Sequence, residues 1–275
     1  RGLGRYNFSL LQNLAQLDQV NKYWIFGRQE RLTNLPDTWN KVNAPWRVYS
    51  WAEQIKLPHL VKKYPIDLMH WPHFNVPFNY HWPYIVTIHD MIMHQFPNER
   101  ATTLPRPWYK LKWIIHDKVL ARAVHKSRAV IAVSQATKDI LLEHYPALER
   151  KISVIYEAPT IDGRKYSALA RLITEPYLLY VGAAYPHKNL SLLIESHNIL
   201  KKQWPDLKLV LVGRSDFFYQ RLKKNVGGGR GVIFWGEATD VTLASLYAHA
   251  EVYVSLSLAE GFNLTDLDTS RTRIY

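Results

Sequence analysis

The stretch YLLYVGAAYPHKNLSLLIESHNILKK, residues 177–202, sets the fold. Tyr177 to Val181 is a short continuous apolar run, the pattern of a strand buried on both faces, and it halts at Gly182. A loop follows, then an amphipathic helix predicted from Lys188 to Gln203. Downstream the alternation repeats: strand Lys208–Val212, helix Asp216–Asn225, strand Val232–Phe234, helix Val241–Ala248, strand Val252–Ser255. Upstream it is looser, with strands expected at Tyr23–Phe26, Leu68–His70, Tyr84–Ile88, Ala129–Val133 and Ile152–Tyr156. Helices are expected there at Ser9–Leu17, Trp108–Val124 and Gln135–Tyr145. Buried strands alternating with longer amphipathic segments give an α/β class, parallel sheets covered by helices. In such sheets ligands sit at the carboxyl ends of the strands, so the turns after them are where function is sought.

Between the halves, Glu157 to Ile173 has weak periodicity and contains Pro159 and Gly163, which marks a linker. The expected division is 1–160, a linker at 161–174, and 175–275. At 275 residues and 47% hydrophobic the chain can bury two cores. It contains no Cys, so disulfides and thiolate metal sites are excluded and a reducing compartment such as bacterial cytoplasm fits. No apolar run approaches the roughly 18 residues of a membrane span, and no export signal is visible. The net charge is +12, with 21 basic against 13 acidic residues up to position 163 (net +8) and 14 against 10 after it (net +4). Such an excess suits nucleic acid, an anionic membrane surface or a phosphorylated ligand.

A helix start offers unpaired N–H groups and a positive dipole end, and Lys188 adds a full charge, so the Gly182–Asn189 region reads as a diphosphate site. Taken alone, one Gly and one Lys read first as a turn and a solvated surface cation. The segments LYVGAAYPHKNL (179–190), LVLVGRSD (209–216) and VIFWGEATDVTLASLYAHAEVYVSLSLAEGF (232–262) occur in one order and spacing. Together they resemble the donor-binding domain of retaining glycosyltransferases of family four, which have the GT-B fold of two facing Rossmann-like domains. GLGRY (2–6), DLMHWPHFNVP (67–77), VTIHDMI (86–92) and AVSQATKDIL (132–141) extend the resemblance over the first half.

The resemblance implies transfer of a sugar from a nucleotide diphosphate donor to a glycan or lipid-linked hydroxyl acceptor, with retention and without a metal or other cofactor. Lys188 would contact the diphosphate, supported by Arg214. His187, standing where many members carry Arg, would supply a weaker, pH-dependent charge. Gly182 belongs to the same loop. Gly236 and the VTLASLY helix, with Leu246, would border the base. Glu260 matches the first acid of the family's E-x7-E motif and would lie against the transferred sugar. Asp268 stands where the second Glu is usual, one methylene shorter for gripping the ribose diol. In the first half, His89 would face the sugar with Asp90 orienting it, and His70 and His73 would be acceptor-side residues. Gly2 and Gly4 would let the opening loop approach phosphate or acceptor. The start at Arg1 and the departure of NLTDLDTSRTRIY from the family pattern suggest truncation at both ends.

Without the resemblance, His89 and Asp90 read as a buried polar pair. The histidines 70, 73, 89 and 94 lack the i, i+4 spacing and acidic partners of a metal site. The segment PRPWYKLKWIIHDKVLARAVHKSR (105–128) places Trp108, Ile115 and Val119 on one stripe beside Lys110, Lys112, Lys118 and Arg122. This suits peripheral contact with an anionic membrane at the inner face of the cell, or an ordinary core-facing helix with solvated cations. Competing readings are a non-catalytic nucleotide- or nucleic-acid-binding module and a nucleotide-sugar epimerase of the same architecture. Nucleic acid is disfavoured because no RNP-like, helix-turn-helix or zinc-finger signature occurs. Neither a P-loop nor G-x-G-x-x-G follows a strand, which disfavours NTPases and dinucleotide dehydrogenases.

Overall fold

The computed structural model describes residues 2–33, 35–96, 106–158, 170–226, 231–262 and the backbone of 273–274. The chain divides into two compact units, one made of Arg1–Met91 with Arg106–Glu157 and the other of Ile92–Pro105 with Ala158–Tyr275. Both are parallel α/β units. Among the described residues no helix is long and apolar enough to cross a membrane.

The first unit opens with α1 (Gly2–Leu17), followed by β1 (Trp24–Gly27), the short α2 (Gln29–Leu32), β2 (Asn40–Asn43) and α3 (Trp51–Val61). β1 and β2 pair as a separate parallel ribbon. Next come β3 (Met69–Trp71), β4 (Tyr84–Ile88) and, in the other unit, the short α4 (Ile92–Gln95). The first unit is completed by α5 (Arg106–Lys126), β5 (Ala129–Ala132), α6 (Gln135–His144) and β6 (Ile152–Val154). Strands β3 to β6 form a four-stranded parallel sheet in sequence order. Its core joins Val86 and Ile88 to Leu120, Ala123 and Val124 of α5 and Leu141 of α6. Some features differ from expectation. Gly2 and Gly4 lie in the first turns of α1 rather than in a loop, and α2, β2, α3 and α4 were not foreseen. Pro58 inside α3 masks a start signal that is present: Ser50 accepts the Glu53 N–H at 3.1 Å as an N-cap.

The second unit contains β7 (Tyr177–Val181), α7 (Leu190–Leu200), β8 (Lys208–Val212), α8 (Phe217–Val226), β9 (Val232–Gly236), α9 (Asp240–His249), β10 (Val252–Tyr253) and β11 (Arg273–Ile274). Side chains alternate across a strand, so each apolar run feeds two cores. Tyr177, Leu179, Val210 and Val212 pack with Leu243, Leu246 and Tyr247 of α9. Leu178, Tyr180, Leu209 and Leu211 pack on the other face with Leu190, Leu193 and Ile194 of α7 and Tyr219 of α8. The sheet order is β11-β10-β7-β8-β9, all parallel. The chain therefore runs outward from β7 through β9 and then crosses to the opposite side of β7. That reversal between β7 and β10 opens a crevice at their carboxyl ends.

The turns there are tightly packed. Tyr219 shares its hydroxyl proton between the carbonyls of Gly182 (3.0 Å) and Val212 (3.1 Å), tying α8 to the ends of β7 and β8. A Cβ on Gly213 would lie 2.1 Å from the Gly182 carbonyl oxygen and 2.6 Å from the Tyr219 ring. At Gly236 the φ of +88° accompanies the register shift where β8 meets β9, a backbone state that side chains resist. Overpacking of this kind costs about 2 kcal/mol. Gly213→Ala is expected to lower unfolding stability by about that amount, measured in urea, while Gly4→Ala, whose Cβ meets nothing within 4 Å, leaves it unchanged or slightly raised.

Candidate functional site

In the second unit the β7–β10 crevice receives two loops. After β7 the chain passes Gly182 and makes a 3₁₀ turn over Pro186–Lys188. Asn189 then adopts a left-handed conformation (φ 56°) from which α7 starts. Lys188 is thus placed just ahead of the helix rather than in its first turn. The left-handed region suits Asn better than most residues, and here it turns the chain sharply enough to leave Lys188 over the strand end. After β10 the chain runs to Glu260. A backbone bond from Leu258 N–H to the His187 carbonyl (2.7 Å) holds the two loops together. At this junction the Lys188 ammonium forms an ion pair with Glu260 Oε1, the two side chains being 17% and 24% exposed.

Around the pair, His187 is buried and its ring stacks on Tyr185 at 5.8 Å, so its place is in the loop's packing. Arg214 is exposed in the turn after β8, where the neighbouring Asp216 caps α8 by accepting the N–H groups of Phe218 (3.0 Å) and Tyr219 (3.1 Å). Leu246 corrects an expectation. It is fully buried beneath the sheet, and the Tyr177 hydroxyl donates to its carbonyl at 2.8 Å, so it is a core residue with no surface for a base. The expected positions Asp268 and 161–169 of the linker lie outside the described residues.

The first unit gathers a second cluster at the carboxyl ends of β3, β4 and β6. His89 follows β4; its Nδ1 meets Glu157 Oε1 at 2.8 Å and its Nε2 donates to the Pro72 carbonyl at 3.0 Å. The ring is therefore held at both nitrogens, by a carboxylate on one side and a backbone carbonyl on the other. The carboxylate that orients His89 is therefore Glu157 from the end of β6, not the adjacent Asp90, which is exposed. The pair is secluded, with side chains 13% and 7% exposed. Tyr6 of α1 lies edge-on to the His89 ring at 4.6 Å and its hydroxyl is 3.3 Å from Thr87 Oγ1. His70 Nε2 is 2.8 Å from the same buried hydroxyl.

His73 lies in the loop after β3, 3.2 Å by Nδ1 from the Tyr49 hydroxyl. Tyr49 itself has a φ of 66°, uncommon for a residue with a side chain. Its N–H donates to Glu53 (2.7 Å), which also accepts from Asn75 (2.9 Å) in the β3 loop. Burial, reinforced by the nearby His89, pushes both His70 and His73 down to about 4, so both rings are neutral at physiological pH. Sequence reasoning missed Glu157, Tyr6 and Tyr49. An acid directly after an apolar strand was the available signal for Glu157; nothing local marked the tyrosines. Among the described residues no three His, Cys, Asp or Glu side chains converge as metal ligands would.

Two parallel α/β units, with clusters at the carboxyl ends of their strands, make the GT-B architecture of glycosyltransferases. The solved structure of WaaG, a glycosyltransferase involved in lipopolysaccharide biosynthesis, superposes over 99% of this chain and 76% of its own with a TM-score of 0.69 and 15% identity. The chain belongs to glycosyltransferase family 4: the family model described as "Glycosyltransferase Family 4" matches residues 1–159, and the one described as "Glycosyl transferases group 1" matches 168–267. It is similar to the O-antigen chain mannosyltransferase RfbU of Salmonella typhimurium, 27% identical over 81% of this chain and 58% of that protein. It is also similar to the O-antigen chain mannosyltransferase B of Escherichia coli, 23% identical over 97% of this chain and 75% of that protein. The match to RfbU thus spans under two thirds of that relative's length.

Two outcomes are expected of the first-unit cluster. Removing one partner of a secluded hydrogen bond leaves the other unsatisfied, so Glu157→Ala is expected to cost about 2 kcal/mol in denaturant unfolding. Glu157→Gln, which keeps an acceptor for His89, is expected to cost clearly less. The second concerns pH. Folded His70 and His73 protonate near 4, below the unfolded value of 6.5, so as pH falls the unfolded chain binds protons the folded one refuses. Stability is therefore full above about pH 6.5 and declines toward pH 4. A His70→Gln/His73→Gln variant is expected to show a flatter decline in unfolding midpoint between those values.

Proposed function

We propose that this chain is the catalytic portion of a glycosyltransferase that moves a sugar, of the mannosyl class, from a nucleotide diphosphate donor to a hydroxyl acceptor with retention. The setting is bacterial cell-envelope polysaccharide synthesis. Residues 175–275 serve as the donor-binding domain, 1–160 as the acceptor-side domain and 161–174 as the linker. The observation that carries the reading is the Lys188–Glu260 pair in the β7–β10 crevice, where a cation suited to phosphate meets a carboxylate suited to sugar hydroxyls. The likeness to two O-antigen mannosyltransferases supports the sugar class.

In this reading Lys188 exchanges its carboxylate partner for the donor diphosphate. A unit-charge contact at about 4 Å is worth about 4 kcal/mol at an effective dielectric of about 20, and it strengthens as charge develops on the departing phosphate. Glu260, released from the ammonium, accepts hydrogen bonds from the transferred sugar. Gly182 lets the β7 loop approach the diphosphate, with Arg214 as a supporting cation and Gly236 bordering the base. His89, held by Glu157, and the neutral His70 and His73 form the first-unit cluster. The acceptor's proton passes to a donor phosphate oxygen.

Calorimetric titration with GDP, UDP and ADP tests the donor site. One nucleotide is expected to bind, and Lys188→Ala to weaken it by at least tenfold. Glu260→Gln frees the ammonium and is expected to tighten nucleoside diphosphate binding severalfold while lowering sugar transfer. Binding unaffected by Lys188→Ala would refute the assignment. Conversion of the donor sugar to its epimer without an acceptor would favour the epimerase reading instead.

A further inference from the structure

Among the described residues of the first unit, Tyr49 alone carries a side chain at positive φ, 66°. A bulky residue is an outlier in this left-handed region, which Gly or Asn would occupy at little cost. The strain is held in place by a buried acid. Ser50 caps α3 by accepting the Glu53 N–H at 3.1 Å, and in the usual reciprocal arrangement the Glu carboxylate would return to the N–H of the cap residue itself. Here it takes the Tyr49 N–H instead, one residue earlier, at 2.7 Å. The same oxygen of Glu53, a buried residue, accepts from Asn75 at 2.9 Å and so ties the start of α3 to the loop after β3.

The side chain supported in this way is not packed into the core: Tyr49 is 61% exposed. Its hydroxyl lies 3.2 Å from His73 Nδ1, and the two rings meet edge to face with centroids 6.1 Å apart. His73 is fixed in turn by the Phe74 ring at 4.1 Å, with His116 of α5 edge-on to Phe74 at 4.6 Å. Burial keeps His73 neutral at physiological pH, so hydroxyl and imidazole can each donate or accept and neither carries charge. The pair also flanks the His89 cluster, because Pro72, directly before His73, gives its carbonyl to His89. Strained residues that their surroundings over-determine cluster where a side chain must point in one direction for function. Nothing in the turn itself calls for a ring at position 49, since glycine would keep the same backbone bonds without the strain.

We propose that Tyr49 is a specificity-determining residue of a saccharide subsite in the first unit, its ring lying against the C–H face of a pyranose while its hydroxyl and His73 take the sugar's hydroxyl groups. The electron-rich face of an aromatic ring attracts the polarised C–H bonds of such a sugar face. Neutral groups that both donate and accept match a polyol, whereas a phosphate or carboxylate would call for a fixed cation beside the ring. The proposal rests on the glycosyltransferase reading for its occupant, the terminal sugar of the acceptor glycan. It involves neither Lys188 nor Glu260.

Saturation-transfer difference NMR with methyl α-mannopyranoside, methyl α-galactopyranoside and methyl N-acetyl-α-glucosaminide tests it. At least one glycoside is expected to bind, and Tyr49→Gly to weaken that binding at least about fivefold through loss of the ring. Tyr49→Phe, which keeps the ring and loses the hydroxyl, is expected to weaken it about threefold. Glycine relieves the left-handed strain, so the urea midpoint of Tyr49→Gly is expected to stay level or rise while binding falls. Trp51→Ser removes another exposed aromatic two residues on, 84% exposed, and is expected to leave binding unchanged. The proposal is overturned if none of the three glycosides binds, or if Tyr49→Gly binds as well as the unaltered chain. It is equally overturned if the Tyr49→Gly midpoint falls, because the ring would then serve packing, or if Trp51→Ser weakens binding as much. Calorimetry with the nucleoside diphosphates, run on the same proteins, separates the two readings. Nucleotide binding without a Tyr49-dependent glycoside overturns the subsite alone, whereas a Tyr49-dependent glycoside without nucleotide binding upholds the subsite and refutes the donor site.

Discussion

Burial of both faces of a short parallel strand is the constraint from which the second unit follows. β7 is apolar throughout and β8 from Leu209 to Val212, and alternation sends Tyr177, Leu179, Val210 and Val212 to one side and Leu178, Tyr180, Leu209 and Leu211 to the other. Neither face can be left to water, so helices must cover both, α7 and α8 on one and α9 on the other. Covering both faces of a parallel sheet requires crossover connections, and these deliver every strand-to-helix turn to the same edge. Among the described residues the strand order reverses once, between β7 and β10. There the two flanking loops part, and the polar residues they carry converge on the space between them.

Close packing at that edge limits what the loops can do. Tyr219 bridges two strand ends through one hydroxyl, and Gly213 has no room for a side chain because the Gly182 carbonyl occupies it. The 3₁₀ turn and the left-handed Asn189 then set where Lys188 emerges. A cation on a flexible four-carbon stem is positioned here mainly by its backbone and by Glu260, whose loop is tied to the first by the Leu258–His187 bond. In the first unit a comparable tie is made by side chains: His89 bridges the β3 loop through Pro72 and the end of β6 through Glu157. Each unit thus uses a pair of polar side chains to join loops that the sheet alone only brings near each other.

The family resemblance located Lys188 and Glu260, and the fold then supplied their meeting. It also singled out His89, with Asp90 expected to orient it; in the fold the ring is bonded to Glu157. Asp90 is adjacent in sequence, yet successive residues at a strand end point to opposite sides, so adjacency argues against a shared hydrogen bond. Glu157 is 68 residues away and reaches His89 because β6 lies two strands over in the same sheet. Leu246 shows the converse failure. Its helix borders the crevice edge, but nothing local distinguishes the side of α9 that faces Tyr177 from the side that faces solvent. Only the packing of the sheet decides that.

What the sequence determined by itself was the class, because apolar runs of strand length alternating with amphipathic segments leave few ways to bury both. It also placed the strand-end turns, through Gly182, Gly213 and Gly236, and the candidates that those turns carry. What the tertiary structure alone decided was partnership: Lys188 with Glu260 across 72 residues, His89 with Glu157, Tyr49 with His73, and Arg122 with the carbonyls of the β3 loop. Periodicity reports the environment of one segment at a time. Hydrogen bonds between segments depend on strand order and register, which no single segment encodes.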